Sequence, residues 1–374
     1  MIIKLAIRNL FHDRARFLVT LVGILFAVVL VAVQLGMYFG ARRMIVGVIE
    51  HANGDLWISA YGTESFEQAP LLTGRERFAA LSVPGVEAVK PLIVSFADWR
   101  RPDSSATNVV IVGADKGDGV LDPWNIVEGT ANFASPDGVA VDRTYAKTLG
   151  ISGVGQTRDV GGSHVKVEAL TDGIRSFTTS PYVFASLNKA RSLLNVPQDR
   201  STFYLVTLTP GANAERVKAE LQSRLPDASV ATKAEFLQRN LDYWLFGTGA
   251  GTALIGGAIL GLIIGTVVVA QTIYSSTKDH LSEFATLRAL GSSSGYIHKV
   301  ILAQAGLSAA AGYGLGIGLS LVIAQFSSET ALPVVFTPVL AAFLFAVTLA
   351  MCVVSALSSI FKVTKIDPAM VFAR

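Results

Sequence analysis

Four long apolar stretches divide the chain, at residues 17–41, 245–275, 300–325 and 337–361, and none holds an Asp, Glu, Lys, Arg or His. A helix crossing a bilayer needs about 20 mostly apolar residues. A buried helix of a soluble protein seldom stays uncharged on every side for that long. The pattern therefore predicts four membrane-spanning helices, at 17–41, 245–275, 299–325 and 337–361. Between the first two, residues 42–244 change character. TNVVIVGAD (107–115) and STFYLVTL (201–208) read as strands, rich in Val, Thr and aromatics. Residues 212–224 read as an amphipathic helix, with Val217, Leu221 and Leu225 at four-residue spacing, and ASVATKAEF then opens as a strand. Gly and Pro gather over 113–138 and 150–163, where loops or a second subdomain are expected.

The predicted fold class is a membrane protein: a four-helix transmembrane domain with a large extracytoplasmic α+β domain inserted between spans one and two. Residues 1–16 form an amphipathic N-terminal helix in this reading. Ile3, Ala6, Ile7, Leu10 and Phe11 share one face, with Lys4, Arg8 and His12 opposite, as in a helix lying on a membrane surface. The first apolar stretch is too long for the core of a signal peptide and lacks a small-x-small cleavage site before Arg42, so it reads as an uncleaved anchor.

Flanking charge sets the expected orientation. Lys4, Arg8, Arg14 and Arg16 precede span one; Lys278, Arg288 and Lys299 lie in the 276–298 loop; Lys362, Lys365 and Arg374 lie in the 362–374 tail. The 326–336 loop has no Lys or Arg. Both termini and residues 276–298 are then cytoplasmic, and 42–244 and 326–336 lie outside. Arg42 and Arg43 weigh weakly the other way.

Composition agrees. Charged residues make up 16% of the 374, against roughly 25% in a typical soluble domain. A net charge of +3 without a long basic run gives no sign of a nucleic-acid partner. The single cysteine, Cys352, allows no intrachain disulfide.

No Gly is followed by Lys anywhere, so these residues contain no G-x-x-x-x-G-K-[ST] loop for nucleotide phosphates. G-x-G-x-x-G and H-E-x-x-H are also missing, and His12, His51, His164, His280 and His298 have no ligand spacing. No catalytic or metal site is expected. The spans lack the ionisable groups that ion-coupled transporters use as relays; only Gln34, Gln271, Gln304 and Gln325 are strongly polar. If this chain moves anything, its energy comes from elsewhere. Gly257, Gly261 and Gly265, and Gly312, Gly316 and Ser320, recur every fourth residue. Such ladders let helices approach closely, within a subunit or across a dimer, although glycine is also generally common in membrane helices.

One stretch breaks the apolar pattern. DHLSEFATLRALGSSSGYI (279–297) sits between spans two and three. Ser276-Thr277-Lys278-Asp279 offers a helix start and Gly291 a stop, giving a helix over 277–291. Asp279, Ser282, Glu283 and Thr286 share one side. Leu281, Phe284, Ala285, Leu287 and Ala289 share the other, with His280 and Arg288 intruding. Such a helix can pack on its own bundle or fit a partner's groove, and Phe284 and Arg288 are the types favoured at docked surfaces.

These residues carry a resemblance. One span, a large outer domain and three further spans resemble the FtsX/MacB-type ABC permeases. The segment after their second span has the pattern E-x-x-x-[LI]-[RK]-A-x-G, here Glu283, Leu287, Arg288, Ala289 and Gly291. The longer run of Asp279, His280, Leu281, Glu283, Phe284, Ala285, Thr286, Leu287, Arg288, Ala289 and Gly291 is similar to the DevC-like branch. So are GDLWIS (54–59), VKPLIVSFADWRRP (89–102), VGGSHVKVEAL (160–170), TPGANAERVKAELQSRLPD (209–227) and IDPAMVFA (366–373). The resemblance implies a non-catalytic bacterial inner-membrane subunit that forms a homodimer. A separate ABC ATPase dimer would bind ATP and Mg, with Asp279, His280, Glu283, Phe284, Leu287, Arg288 and Gly291 in the helix that receives its stroke. It further implies a periplasmic membrane-fusion adaptor, a TolC-like outer-membrane channel, contact with membrane lipid, and export of a lipid-like or other amphipathic substrate. An FtsX-like transmitter to a cell-wall hydrolase and a lipoprotein-release permease are the alternatives it allows.

Overall fold

The computed structural model describes residues 2–115, 117, 119–280, 282–283, 286, 292–327, 330 and 332–364. Its helices α2 (Arg14–His51), α8 (Ala250–Asp279), α9 (Ser294–Ser327) and α10 (Pro338–Thr364) are the four long and apolar enough to cross a membrane. The chain divides into two compact units, one holding these helices and the other formed by Ala41–Gly251 with Thr330–Leu332.

In the helical unit, α1 (Ile2–His12) packs on α9. Only Asp13 separates α1 from α2, and its Oδ1 accepts the Arg16 amide at 3.2 Å, satisfying a free donor of the first turn of α2. The core gathers Ile24, Ala27 and Val28 of α2, Val269 and Ile273 of α8, Ile301 and Ala305 of α9, and Met351 and Ala356 of α10. Ser355 and Ser359 of α10 donate to the carbonyls of Thr266 (3.0 Å) and Ala270 (3.3 Å) on α8, cross-helix bonds of the kind hydrocarbon surroundings favour.

The second unit is built on β1 (Leu56–Ala60), β2 (Val86–Arg100), β9 (Phe203–Leu208) and β10 (Ala228–Thr232), with α3 (Gly74–Leu81) after β1 and α6 (Ala214–Arg224) after β9. The spatial order is β10-β1-β9-β2, with every neighbour antiparallel. That is a pair of interlocked strand–helix–strand units, the ferredoxin-like arrangement. One face packs Leu56, Ile58, Tyr204 and Val206 under α3 and α6, through Ala80, Val217 and Leu221. The other packs Trp57, Phe203 and Leu205 against Phe66, Phe236 of α7 (Lys233–Leu241) and Val48 and Ile49 of α2.

The residues between β2 and β9 form a second part. There β3 (Ala106–Ala114), β5 (Gly138–Asp142), β6 (Thr157–Val160), β7 (Ser163–Thr171) and β8 (Tyr182–Ser186) join the far half of β2. Pairing runs β2-β3-β8-β5-β7-β6 and returns to β2, closing a small ring that leaves few free edges. Ile93, Trp99, Ile111, Val141, Val167 and Val183 are buried together in its core with Leu187 and Ala190 of α5 (Leu187–Leu194). Two short elements, β4 (Ile126–Gly129) and α4 (Ala146–Leu149), complete it.

The structure sharpens two expectations and changes a third. The first long helix continues beyond the expected span, from 41 to His51, because Ile45, Val48 and Ile49 find a protein core in the second unit and need no lipid. Residues 113–138 and 150–163, expected as loops or a second subdomain, lie in the second part and hold β4 and β6, each paired with β7. Ser276 does not start a helix, because α8 continues through it to Asp279; the Thr277 hydroxyl donates back to the Ile273 carbonyl at 2.7 Å, as it does inside a helix. The stretches at 107–115, 201–208 and 212–224 are β3, β9 and α6.

Candidate functional site

The candidate coupling residues begin where α8 ends. Asp279 is its last residue, and its carboxylate accepts a short hydrogen bond from Arg16 Nη1 near the start of α2. The same guanidinium lies 3.3 Å from Asp13 Oδ2. One arginine between two carboxylates thus joins the end of α8 to the α1–α2 corner. Both partners are partly open to solvent, so the pair adds little stability, about 0–1 kcal/mol. Its use is to set position.

His280 follows Asp279, its amide donating to the Ser276 carbonyl at 3.2 Å. Its ring is buried, with Nδ1 3.1 Å from Glu283 Oε2 and the His12 ring 6.1 Å away. Glu283 is exposed on helical backbone. Phe284, Leu287, Arg288 and Gly291, together with Leu281, lie outside the described residues. Asp13 and Arg16 were missed as site residues, because Arg16 counts in the sequence only as a topology charge. The legible signal was Asp13-x-x-Arg16 directly before an apolar run.

Beside this network a cavity of about 20 Å³ is lined by Asn9, Arg16, Thr20, Thr272, Gln304 and Ser308. It is large enough for a water and offers such a molecule several polar partners. Gln304, flagged as a rare polar residue in span three, is buried there.

The glycine ladders both face α2. A Cβ on Gly257 would come within 2.6 Å of Gln34 Nε2, and one on Gly261 within 2.9 Å of Leu30 Cδ2. Gly265 faces Ala27 in the same way. On α9, a Cβ on Gly312 would meet Ile24 Cγ2 at 2.5 Å, and one on Gly316 would meet Val28 at 2.7 Å. Within one chain, α2 is therefore the helix that both ladders press against.

The second unit contains a buried carboxyl that the sequence did not single out. Glu67 is 2% exposed. Tyr182 of β8 donates its hydroxyl to Oε1 at 2.5 Å, and Trp244 donates Nε1 to Oε2 at 3.3 Å. Burial raises the Glu67 pKa, while the two side-chain donors pull it down less strongly. Trp244 belongs to a wide helical turn, Asp242–Gly247, that leads by way of Gly249 (φ +79°) into α8. Arg175, in the β7–β8 connection, donates to the Thr330 carbonyl at 3.0 Å, between α9 and α10 in sequence.

Comparison with known proteins finds two families along the chain. Residues 17–224 match the family described as the MacB-like periplasmic core domain, and residues 255–368 match the FtsX-like permease C-terminal family. Three solved structures are similar to parts of this chain. The periplasmic region of MacB from Actinobacillus actinomycetemcomitans shares 13% identity, with a TM-score of 0.38, over 52% of this chain and 96% of that one. The extracellular domain of the noncanonic ABC-type transporter YknZ from Gram-positive bacteria shares 14% identity, with a TM-score of 0.35, over 48% of this chain and 99% of that one. A domain of a putative permease protein from Porphyromonas gingivalis shares 14% identity, with a TM-score of 0.32, over 48% of this chain and 90% of that one. No curated protein matches significantly. With a periplasmic core domain matched over more than half of its length and the permease domain behind it, this chain is a membrane protein with an extracytoplasmic domain and belongs to the MacB/FtsX-like permeases, membrane subunits of ABC-type transporters.

Proposed function

We propose that this chain is the permease subunit of a tripartite export system that moves a lipid-like or other amphipathic substrate. It works as a homodimer in a bacterial inner membrane, with both termini cytoplasmic. A separate ABC ATPase dimer binds ATP and Mg and docks on residues 276–298. A periplasmic membrane-fusion adaptor, and beyond it a TolC-like channel, engage on the outer side.

The observation that carries this reading is the Asp13–Arg16–Asp279 network. Force applied just after α8 reaches α2 directly through Arg16, and α2 is the helix against which both glycine ladders pack. The remaining support is chemical. The chain has no phosphate-binding loop, and the spans have no ionisable interior groups for an ion-driven cycle. A mechanical subunit powered by a partner accounts for both.

A charge swap tests the coupling. Asp279→Arg is expected to remove most of the stimulation that the chain gives its co-purifying ABC ATPase, with membrane insertion unchanged. The double variant Arg16→Asp with Asp279→Arg is expected to restore much of it. Full stimulation by the single variant would overturn the assignment. Reversing both charges of the docking helix, Glu283→Lys with Arg288→Glu, is expected to abolish stimulation, and an unchanged rate would count against docking at 276–298.

A further inference from the structure

The periodicity of α1 puts Ile3, Ala6, Ile7, Leu10 and Phe11 on one apolar face. The fold splits that face. Ala6 (0% exposed) and Asn9 (7%) are buried where α1 packs on α9. Ile3, Ile7 and Phe11 remain 63%, 41% and 57% exposed. Spaced four apart, they form a row along the helix, and Lys4 and Arg8 form a second exposed row directly beside it. Among the described residues no acidic side chain pairs with either cation.

What covers the apolar row follows from its continuation. The Phe11 ring lies 5.5 Å from that of Phe17, in the first turns of α2. From there the outward residues are Leu18 (61% exposed), Val22 (56%) and Phe26 (53%), on a helix long and apolar enough to cross a membrane. The same lipid that covers Leu18 and Val22 extends over Phe11, Ile7 and Ile3. At that depth Lys4 and Arg8 stand at the headgroup level, where cations gain from anionic phosphates.

We propose that α1 is a binding element for anionic phospholipid. Ile3, Ile7 and Phe11 enter the acyl boundary, and Lys4 and Arg8 take the headgroup phosphates. Its third face is fixed to α9 through Ala6 and Asn9, and the corner after it carries Asp13 and Arg16. Anionic lipid bound to α1 thus holds the end of the bundle to which Asp279 is tied. The inference stands independently of the ATPase reading, since it needs only the membrane.

The test uses the purified full-length chain, with phosphatidylglycerol and phosphatidylcholine titrated separately and bound lipid counted by native mass spectrometry. Wild type is expected to prefer phosphatidylglycerol. Lys4→Gln with Arg8→Gln is expected to weaken phosphatidylglycerol binding about 25-fold, as two roughly fivefold steps, one for each basic residue near an anionic surface. Phosphatidylcholine binding should stay as it was. Lys4→Arg with Arg8→Lys keeps both charges and should keep the preference, which separates loss of charge from loss of folding. Equal binding of the two lipids by wild type, or an unchanged phosphatidylglycerol constant in the double Gln variant, would overturn the proposal.

Discussion

Glu67 shows how one side chain can report on its surroundings. Its carboxyl is buried and held by Tyr182 and Trp244, and burial raises its pKa above the ordinary 4.5. Folding therefore favours the protonated form. The favourable contribution is intact below 4.5 and is lost as pH rises through the higher folded value. Unfolding of the outer domain followed by circular dichroism should show stability falling over that window, and Glu67→Gln should flatten the fall. Glu67→Ala should cost about 2 kcal/mol or more, since it leaves two buried donors without an acceptor. A pH profile unchanged by Glu67→Gln would rule out this residue as the source. Nothing in the local sequence SFEQAP marks Glu67 as buried, because its partners come from positions 182 and 244, far along the chain.

Among the elements, α2 is the most constrained. Gly23 of α2 itself lies against Val268, and the two ladders on α8 and α9 close on its other residues. Gly314 and Gly318 of α9, in contrast, have open space where a Cβ would stand. Gly261→Leu should therefore lower the thermal midpoint of the detergent-purified chain, by about 1–3 kcal/mol in stability, as overpacking does. Gly314→Leu should leave the midpoint of the single chain nearly unchanged. Equal effects would show that glycine content, and not the contact with α2, is what matters. The four-residue spacing was legible in sequence, but the partner was not, since spacing places residues on a face without saying what the face meets.

For the molecule as a whole, the division into units cuts α2 between Gly40 and Ala41. Its last turns belong to the outer fold. Asn240 Nδ2 donates to the Ile45 carbonyl at 3.1 Å, and Lys233 Nζ donates to the carbonyls of Glu50 and Ala52 at 2.8 Å each. The Lys233 cation thus satisfies acceptors at the end of the helix, and the Asn240 amide adds a bond more than a turn earlier. A fragment spanning residues 41–251 should fold as a soluble domain. One beginning at residue 55 loses Val48 and Ile49 from over Trp57 and should melt at a clearly lower temperature. Equal melting of the two fragments would show that the end of α2 adds nothing to the outer core.

Sequence by itself determined the four long apolar helices, the large α+β insertion and the missing nucleotide loop. These follow from composition and short-range periodicity, which the chain carries locally. The strands at 107–115 and 201–208 and the helix at 212–224 were readable for the same reason. Tertiary structure decided the rest. It closed β2 and β6 into a ring, carried α2 past its last membrane-length apolar residue, split the apolar face of α1 between a side buried against α9 and an exposed side, and brought Arg16 to Asp279. Each joins residues distant in sequence, and no local pattern records which distant face a side chain will meet.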